Sequence, residues 1–223
     1  MSNIVTIAFS TEGTTDKRFL ASIIRKTFEQ VAFECESTIE VYEPVYIQPV
    51  TSQNKLSFVQ SVESISKLAF DRGINILCIH VDADHSSDNE VFNNKINPAF
   101  SAVQQLPIET CKNLVSIVPI RMSEAWMLAD NELLKTEIGT TKTDQDLILT
   151  RDPESVANPK HCIEEALRIA QDHLPKRRGR VTISELYQPI GQQISLEKLE
   201  ALSSYRKFKD SVEDAFRKLN YLH

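Results

Sequence analysis

The chain has 223 residues and a formal net charge of −6, and 41% of its residues are hydrophobic. A chain of this length buries about 70% of its unfolded surface, so its core needs neither disulfides nor a structural metal. A charged fraction of 25% with only five glycines and nine prolines excludes wholesale disorder, collagen-like sequence and low-complexity sequence.

The four cysteines are far apart and form no CxxC pair: Cys35, Cys78, Cys111 and Cys162. This spacing argues against a zinc ribbon, a thioredoxin-type site or a disulfide framework, and it favours free thiols in a reducing cytosol. No stretch approaches the roughly 20 apolar residues of a membrane span, and the N-terminal segment lacks the basic region of a signal peptide. We therefore expect a cytoplasmic protein that does not enter a membrane.

Charge is unevenly distributed along the chain. Acidic residues outnumber basic ones over residues 1–150, whereas basic residues are slightly in excess over residues 151–223. A protein that coats DNA passively needs a broad cationic face, so this pattern argues against that class. It leaves open an enzyme that meets nucleic acid through a local basic patch and bound cations.

The first third of the chain alternates between strand and helix patterns. Residues 4–10 predict a buried strand that leads through a polar turn into an amphipathic helix from Asp16. Residues 38–49 are strand-like, but Pro44 and Pro49 favour a sheet edge or a break. A helix over residues 55–71 follows.

The pattern continues through a helix over residues 88–105, between two apolar strands. These strands cover residues 74–81 and 114–120, and the second precedes a helix at residues 125–134. Such alternation predicts an α/β fold with a mainly parallel sheet flanked by helices, of the Rossmann-like type.

The remaining residues have a different composition. Residues 136–159 are polar and rich in turn formers, whereas helical patterns occupy residues 162–173, 183–187 and 205–219. We predict an α/β domain over residues 1–135, a linker or loop over residues 136–159, and a C-terminal helical appendage over residues 160–223.

Acidic residues follow three of the predicted strands. Glu12 follows the first, Asp82 and Asp84 follow the third, and Glu124 follows the fourth. Because parallel strands end at one edge of a sheet, these acids would repel one another unless cations bind between them, and hard ions such as Mg²⁺ or Mn²⁺ suit carboxylate ligands. Asp82 and Asp84 face the same way along an extended chain, and Glu12 shares a helix face with Asp16 if the helix starts at that turn.

Structural roles explain each acid singly. Asp84 is a candidate helix N-cap, Asp16 and Glu124 suit the first turn of a helix, and Gly13 is an ordinary turn glycine. These roles do not explain why acids follow three strands of one sheet. We therefore favour a metal site formed by Glu12, Asp16, Asp82, Asp84 and Glu124.

Three segments resemble the Toprim fold, a metal-binding α/β domain of topoisomerases, primases and OLD-family nucleases (overcoming lysogenization defect). They are Glu12-Gly13-Thr14-Thr15-Asp16, Asp82-Ala83-Asp84 and Ser123-Glu124-Ala125-Trp126. With Pro153-Glu154, Asn158-Pro159-Lys160 and a helical tail, the chain is most similar to a family of small stand-alone Toprim-like proteins of unknown function.

The resemblance implies a two-metal nuclease that cleaves a phosphodiester, in DNA rather than RNA. Glu12, Asp82 and Asp84 would be catalytic, with Lys160 as an assisting lysine. It also implies a separate ATPase as a partner in a bacterial defence or DNA-processing system, because OLD-type Toprim domains are fused to ATPases and this sequence contains no P-loop motif.

Other side chains near these motifs have two interpretations. His80 fits a core histidine, His85 fits either an exposed turn or a ligand, and Trp126 fits packing against the sheet. The basic run of Lys176, Arg177, Arg178 and Arg180 fits a solvated loop and phosphate contact about equally.

Two further functions stay open. The chain is alternatively a Toprim scaffold that partners an ATPase and cleaves weakly or not at all. A phosphatase with Asp82 as the nucleophile is disfavoured, because Asp82-Ala83-Asp84-His85-Ser86 lacks the threonine of the DxDxT pattern.

Overall fold

A parallel four-stranded sheet is the central element of the computed structural model, which describes residues 3–48, 56–172 and 179–222. In chain order the strands are β1 (Asn3–Val5), β2 (Ile7–Ser10), β3 (Ile39–Val41), β4 (Val45–Tyr46), β5 (Ile76–His80) and β6 (Leu114–Ile117). The main sheet has the order β4-β2-β5-β6, and β1 pairs with β3 in a small second sheet. Every pairing is parallel. The predicted α/β fold with a parallel sheet is confirmed.

Two predicted strands are each divided into two shorter strands. The predicted strand over residues 4–10 divides at Thr6, whose backbone N–H donates to Asn75 Oδ1 at 2.9 Å. The strand-like segment at residues 38–49 divides between β3 and β4, around Pro44. As predicted, β4 lies at the edge of the main sheet.

Helices connect and cover the strands. They are α1 (Thr14–Phe33), α2 (Phe58–Asp71), α3 (Asn89–Val91), α4 (Asn97–Gln105), α5 (Ser123–Met127), α6 (Asn131–Ile138), α7 (Pro159–Ala170), α8 (Ile183–Gln193), α9 (Leu196–Leu199) and α10 (Ser203–Lys218). A π-helical turn, Phe92–Ile96, joins α3 to α4 within the predicted helix at residues 88–105. The helix predicted over residues 125–134 is instead two helices, because the Asp130 side chain accepts from the Leu133 N–H and starts α6.

Successive side chains of the central strand enter two different cores. In β5, Ile76 and Cys78 belong to a core shared with α1, α8 and α10, whereas Leu77 and Ile79 belong to a core shared with α2 and α4. Period-two alternation therefore directs His80 to the same face as Cys78, towards α1.

The C-terminal helices pack into the same core as the sheet. Asn113 Nδ2, next to β6, donates to the Ala215 carbonyl of α10 at 3.1 Å. Trp126 is buried, as predicted. Its Nε1–H donates to Ser204 Oγ at 2.8 Å, and its ring meets Tyr205 edge-on. The segment at residues 136–159 also places Leu147 in this core. These contacts hold α10 against the sheet.

All four cysteines are free, and Cys78 and Cys111 are buried. Among the described residues, no helix combines the length and apolarity needed to cross a bilayer.

Candidate metal centre

The carboxyl ends of three parallel strands deliver polar side chains to one edge of the main sheet. β2 leads through Glu12 and Gly13 into α1, which carries Asp16 in its first turn. β5 ends at His80, two residues before Asp82. Ser123 begins α5 after β6. This edge is where binding sites form in parallel α/β sheets.

Asp16, His80 and Asp82 form a compact group of ligand atoms. One atom from each side chain lies within 4.8 Å of the other two. Asp16 and His80 are 7% and 3% exposed, whereas the Asp82 side chain retains 24% of its exposure. The group is therefore buried on two sides and reaches solvent at Asp82, and a metal ion can bind there.

One carboxylate oxygen, Asp82 Oδ1, contacts both His80 and Ser123. It accepts from the Ser123 backbone N–H at 3.0 Å and pairs with His80 Nε2 at 3.2 Å. The Ser123 hydroxyl lies 3.0 Å from His80 Nε2 and 3.4 Å from Asp82 Oδ1. Ser123 is fully buried, so the start of α5 fixes the position of both ligand side chains.

Burial and charge perturb the pKa values in this group. Burial raises the pKa of Asp16; the charge of His80 opposes this shift, and the charge of Asp82 adds to it. Burial alone would lower the pKa of His80, but the hydrogen bond and charge of Asp82, with the charges of Asp16 and Glu12, raise it. The acidic neighbours thus favour the protonated form of His80 more than burial disfavours it. Its Nδ1 has no hydrogen-bond partner among the described residues.

Glu124 lies next to this group and is held by a tyrosine from a C-terminal helix. The Tyr187 hydroxyl of α8 donates to Glu124 Oε1 through a short hydrogen bond, and both side chains are buried. Burial raises the pKa of Glu124, and the charges of Asp82 and Asp16 add to this effect. Burial and the Glu124 carboxylate likewise raise the pKa of Tyr187. The pair therefore lies in one poorly solvated environment.

Gly13 makes room for Asp16. A Cβ atom at Gly13 would lie 2.5 Å from Asp16 Oδ2, closer than a nonbonded contact allows. The Gly13 φ of −109° is accessible to any residue. The glycine in Glu12-Gly13-Thr14-Thr15-Asp16 is thus explained by the space that the carboxylate occupies.

Glu12 and Asp84 lie outside this group of three ligands. Glu12 is exposed and lines a cleft of about 300 Å³ together with His80 and Phe58. Asp84 is exposed and has a left-handed backbone, with a φ of 59°, so the extended geometry that would align it with Asp82 is absent. Its backbone N–H donates to the Arg121 carbonyl at 2.8 Å. Arg121 is also left-handed, and such conformations are common where loops form functional sites.

Glu154 binds the start of one helix, and Lys160 lies at the start of another. The Glu154 carboxylate accepts from the backbone N–H and hydroxyl of Ser203 and of Ser204, at the start of α10. Asn158 caps α7 by accepting from the His161 N–H at 3.0 Å. Lys160 is exposed in the first turn of α7, and no hydrogen bond or ion pair between described residues joins it to the acidic group.

Most of the basic run lies outside the described residues. This holds for Lys176, Arg177 and Arg178, whereas Arg180 is described and exposed. The role of the run in nucleic-acid binding stays a prediction.

His85 is exposed and lies 3.9 Å from Glu90, away from the ligand group.

Sequence interpretation missed two residues of this centre. His80 is buried, as a core histidine would be, yet its Nε2 lies among ligand atoms. Its two-residue spacing from Asp82 was the available signal, since such residues share a face of an extended chain. Tyr187 is 63 residues from Glu124, so no local pattern connects the two.

The fold shown by the structure is an α/β arrangement of parallel strands flanked by helices, of the Rossmann-like type. At its carboxyl edge lies a buried group of two carboxylates and one imidazole that can hold a metal ion. No family model, curated protein or solved structure matches the chain.

Proposed function

We propose that the protein is a metal-dependent phosphodiester hydrolase with a Toprim-like site, acting on nucleic acid and on DNA rather than RNA. The observation that carries this proposal is the convergence of Asp16, His80 and Asp82 at the carboxyl edge of a parallel sheet. Glu124 in α5 is the carboxylate whose charge interacts with Asp82 and Asp16, and the exposed Glu12 and Asp84 follow β2 and β5 at the same edge.

The donor set fits a small divalent cation. Ligands that share such an ion lie about 3–4 Å apart, and the three ligand atoms here lie within 4.8 Å of one another. Carboxylates suit Mg²⁺ and Mn²⁺, whereas imidazole is a poor ligand for Mg²⁺. With His80 in the group, Mn²⁺ is favoured over Mg²⁺. A second ion would draw on Glu124, Glu12 and Asp84.

The acidic environment makes a cation necessary for this substrate class. Asp16, Asp82 and Glu124 would repel a phosphodiester, because unscreened like charges in a poorly solvated site interact strongly. A bound divalent cation polarises a phosphoryl oxygen and activates a water molecule. The protein would hold that cation with Asp16, His80 and Asp82, while Ser123 keeps Asp82 and His80 in place.

One contact would suit a serine hydrolase instead. Ser123 Oγ lies 3.0 Å from His80 Nε2, as a nucleophile lies near its base. In a catalytic triad, however, the carboxylate binds the other ring nitrogen, and here Asp82 shares Nε2 while Nδ1 has no described partner. Ser123 is also fully buried. These features favour a metal-ligand role for the histidine.

The metal site is tested by thermal denaturation with and without Mn²⁺. We expect Mn²⁺ to stabilise the wild type and to leave Asp16→Asn unaffected. Asp88→Asn is the matched control, because Asp88 is another buried aspartate but pairs with Lys207. Equal Mn²⁺ stabilisation of the wild type and Asp16→Asn would refute the site.

The activity is tested by cleavage of labelled single- and double-stranded DNA and RNA with Mn²⁺, Mg²⁺ or EDTA. We expect Mn²⁺-dependent cleavage of DNA that Asp16→Asn abolishes. A candidate partner ATPase with ATP is added in a parallel reaction, since a Toprim-like chain can require one. Metal binding without cleavage in either reaction would support the scaffold function instead.

A further inference from the structure

We propose that Tyr187 is a positioning residue of the metal site: its hydroxyl fixes the Glu124 carboxylate beside Asp16 and Asp82. This inference rests on the proposed metal site and extends it to a C-terminal helix. It assigns to α8 a part in metal binding that no motif in the sequence indicates.

The first argument is the contact between the two side chains. The Tyr187 hydroxyl donates to Glu124 Oε1, and both residues are buried. Glu124 directly follows Ser123, whose N–H binds Asp82. The start of α5 therefore holds Glu124 next to the ligand group. The Tyr187 hydroxyl of α8 then helps to orient the Glu124 carboxylate.

The second argument is the close approach of α8 to α1. A Cβ atom at Gly191 would lie 2.4 Å from the Phe19 carbonyl oxygen, so α8 meets the backbone of α1 at this glycine. Tyr187 lies four residues before Gly191 on the same face of α8, and Asp16 lies three residues before Phe19 on α1. The contact between the helices lies about one helical turn from Tyr187 on α8 and from Asp16 on α1. It thus sets the distance from Tyr187 to the metal site.

Partners of metal ligands commonly contribute 10- to 100-fold to metal affinity by orienting those ligands. Ser123 has this relation to Asp82. We place Glu124 as a further carboxylate of the proposed site, and Tyr187 then has the same relation to Glu124. The two hydrogen bonds come from different parts of the chain. The metal site is therefore complete only when α8 is docked on α1.

The test is the Mn²⁺ dissociation constant of the full-length protein, measured by calorimetry. Tyr187→Phe removes the hydroxyl and keeps the ring, so we expect the Mn²⁺ dissociation constant to rise about tenfold. Tyr205→Phe is the matched control, because the Tyr205 hydroxyl is also buried and pairs with Thr27 Oγ1 at 2.9 Å in another part of the core. We expect it to leave the Mn²⁺ dissociation constant unchanged.

A second variant separates positioning from general destabilisation. Glu124→Gln keeps an acceptor for the Tyr187 hydroxyl and loses the charge, so it should also weaken Mn²⁺ binding. Adding Tyr187→Phe to Glu124→Gln should then cause little further loss. Wild-type affinity in Tyr187→Phe, or equal losses in Tyr187→Phe and Tyr205→Phe, would overturn the inference. Failure of the wild type to bind Mn²⁺ would instead refute the proposed metal site itself.

Discussion

Asp82→Ala separates two roles of Asp82, as a metal ligand and as a hydrogen-bond acceptor. Repulsion from Asp16 alone predicts that removing the Asp82 carboxylate stabilises the metal-free protein. The structure predicts the opposite. Asp82 Oδ1 accepts from the buried Ser123 N–H at 3.0 Å and contacts His80 Nε2 at 3.2 Å, and alanine supplies no acceptor.

The expected loss of stability follows from these contacts. A buried N–H left without an acceptor costs about 1–3 kcal/mol, and Ser123 is fully buried. His80 Nε2 keeps the Ser123 hydroxyl at 3.0 Å, and relief of repulsion from Asp16 offsets part of the cost. We expect a net loss of about 1–2 kcal/mol in the free energy of unfolding, which lowers the Tm by about 2–8 °C for a chain of this size.

Asp82→Asn is the matched control, because its amide oxygen still accepts from Ser123 while the charge is lost. We expect metal-free Asp82→Asn to be at least as stable as the wild type. Differential scanning fluorimetry with and without Mn²⁺ measures both roles. At 100 times the dissociation constant, Mn²⁺ stabilises the wild type by about 2.7 kcal/mol, or roughly 5–11 °C in Tm. Both variants should lose this shift.

Two results would contradict this reasoning. If metal-free Asp82→Ala and Asp82→Asn denature at the same temperature, the hydrogen bond to Ser123 contributes nothing to stability. If Mn²⁺ raises the Tm of Asp82→Asn as far as that of the wild type, Asp82 is not a ligand.

Three other variants test further parts of the structure. Gly13→Ala should displace the Asp16 carboxylate and weaken Mn²⁺ binding in calorimetry while changing the metal-free Tm little; unchanged affinity would refute the steric argument. Burial alone would raise the pKa of Glu154, but hydrogen bonds from Ser203 and Ser204 outweigh it and lower the pKa. Glu154→Gln should therefore lower the free energy of unfolding by about 1–2 kcal/mol near pH 7. Urea denaturation at several pH values should show this difference disappear as the pH falls through the lowered pKa. A difference that stays constant with pH would contradict this role. The double variant Arg177→Glu with Arg178→Glu should weaken DNA binding and flatten its salt dependence in fluorescence anisotropy. Unchanged binding would support the interpretation of the basic run as a solvated loop.

Local sequence patterns predicted the strands and helices because each type of element has its own spacing of buried residues. The run of apolar residues in β5 and the three- and four-residue spacing in α1 depend only on which faces are buried. The break in the strand at Thr6 was missed because it depends on Asn75, which is distant in sequence. The division between α5 and α6 depends on one capping contact at Asp130.

Prediction of the site was limited in the same way, because local patterns can be identified along the chain whereas contacts between distant residues cannot. Acids that follow strands can be identified along the chain, so Asp82 was predicted for a metal site, and Asp16 was added because it lies four residues after Glu12. Asp84 was expected to face the same way as Asp82, but its left-handed backbone ends the extended geometry on which that expectation relied. His80 was interpreted as a core residue because burial and ligation require the same inward-facing position. Tyr187 enters the site only through the packing of α8 on α1.

The residues that resemble the Toprim-like family have two different physical roles. Glu154, Asn158 and Pro159 start helices, so their presence is explained by folding without any chemistry. Asp16 lies in the first turn of α1, where an acid suits the helix dipole, but that role does not explain why its carboxylate is buried. Gly13 adopts an ordinary φ, and its missing side chain leaves space for that carboxylate. A buried carboxylate destabilises a metal-free fold unless something compensates for its charge. We therefore expect metal affinity to depend on Gly13 and Asp16 and not on the residues at the helix starts.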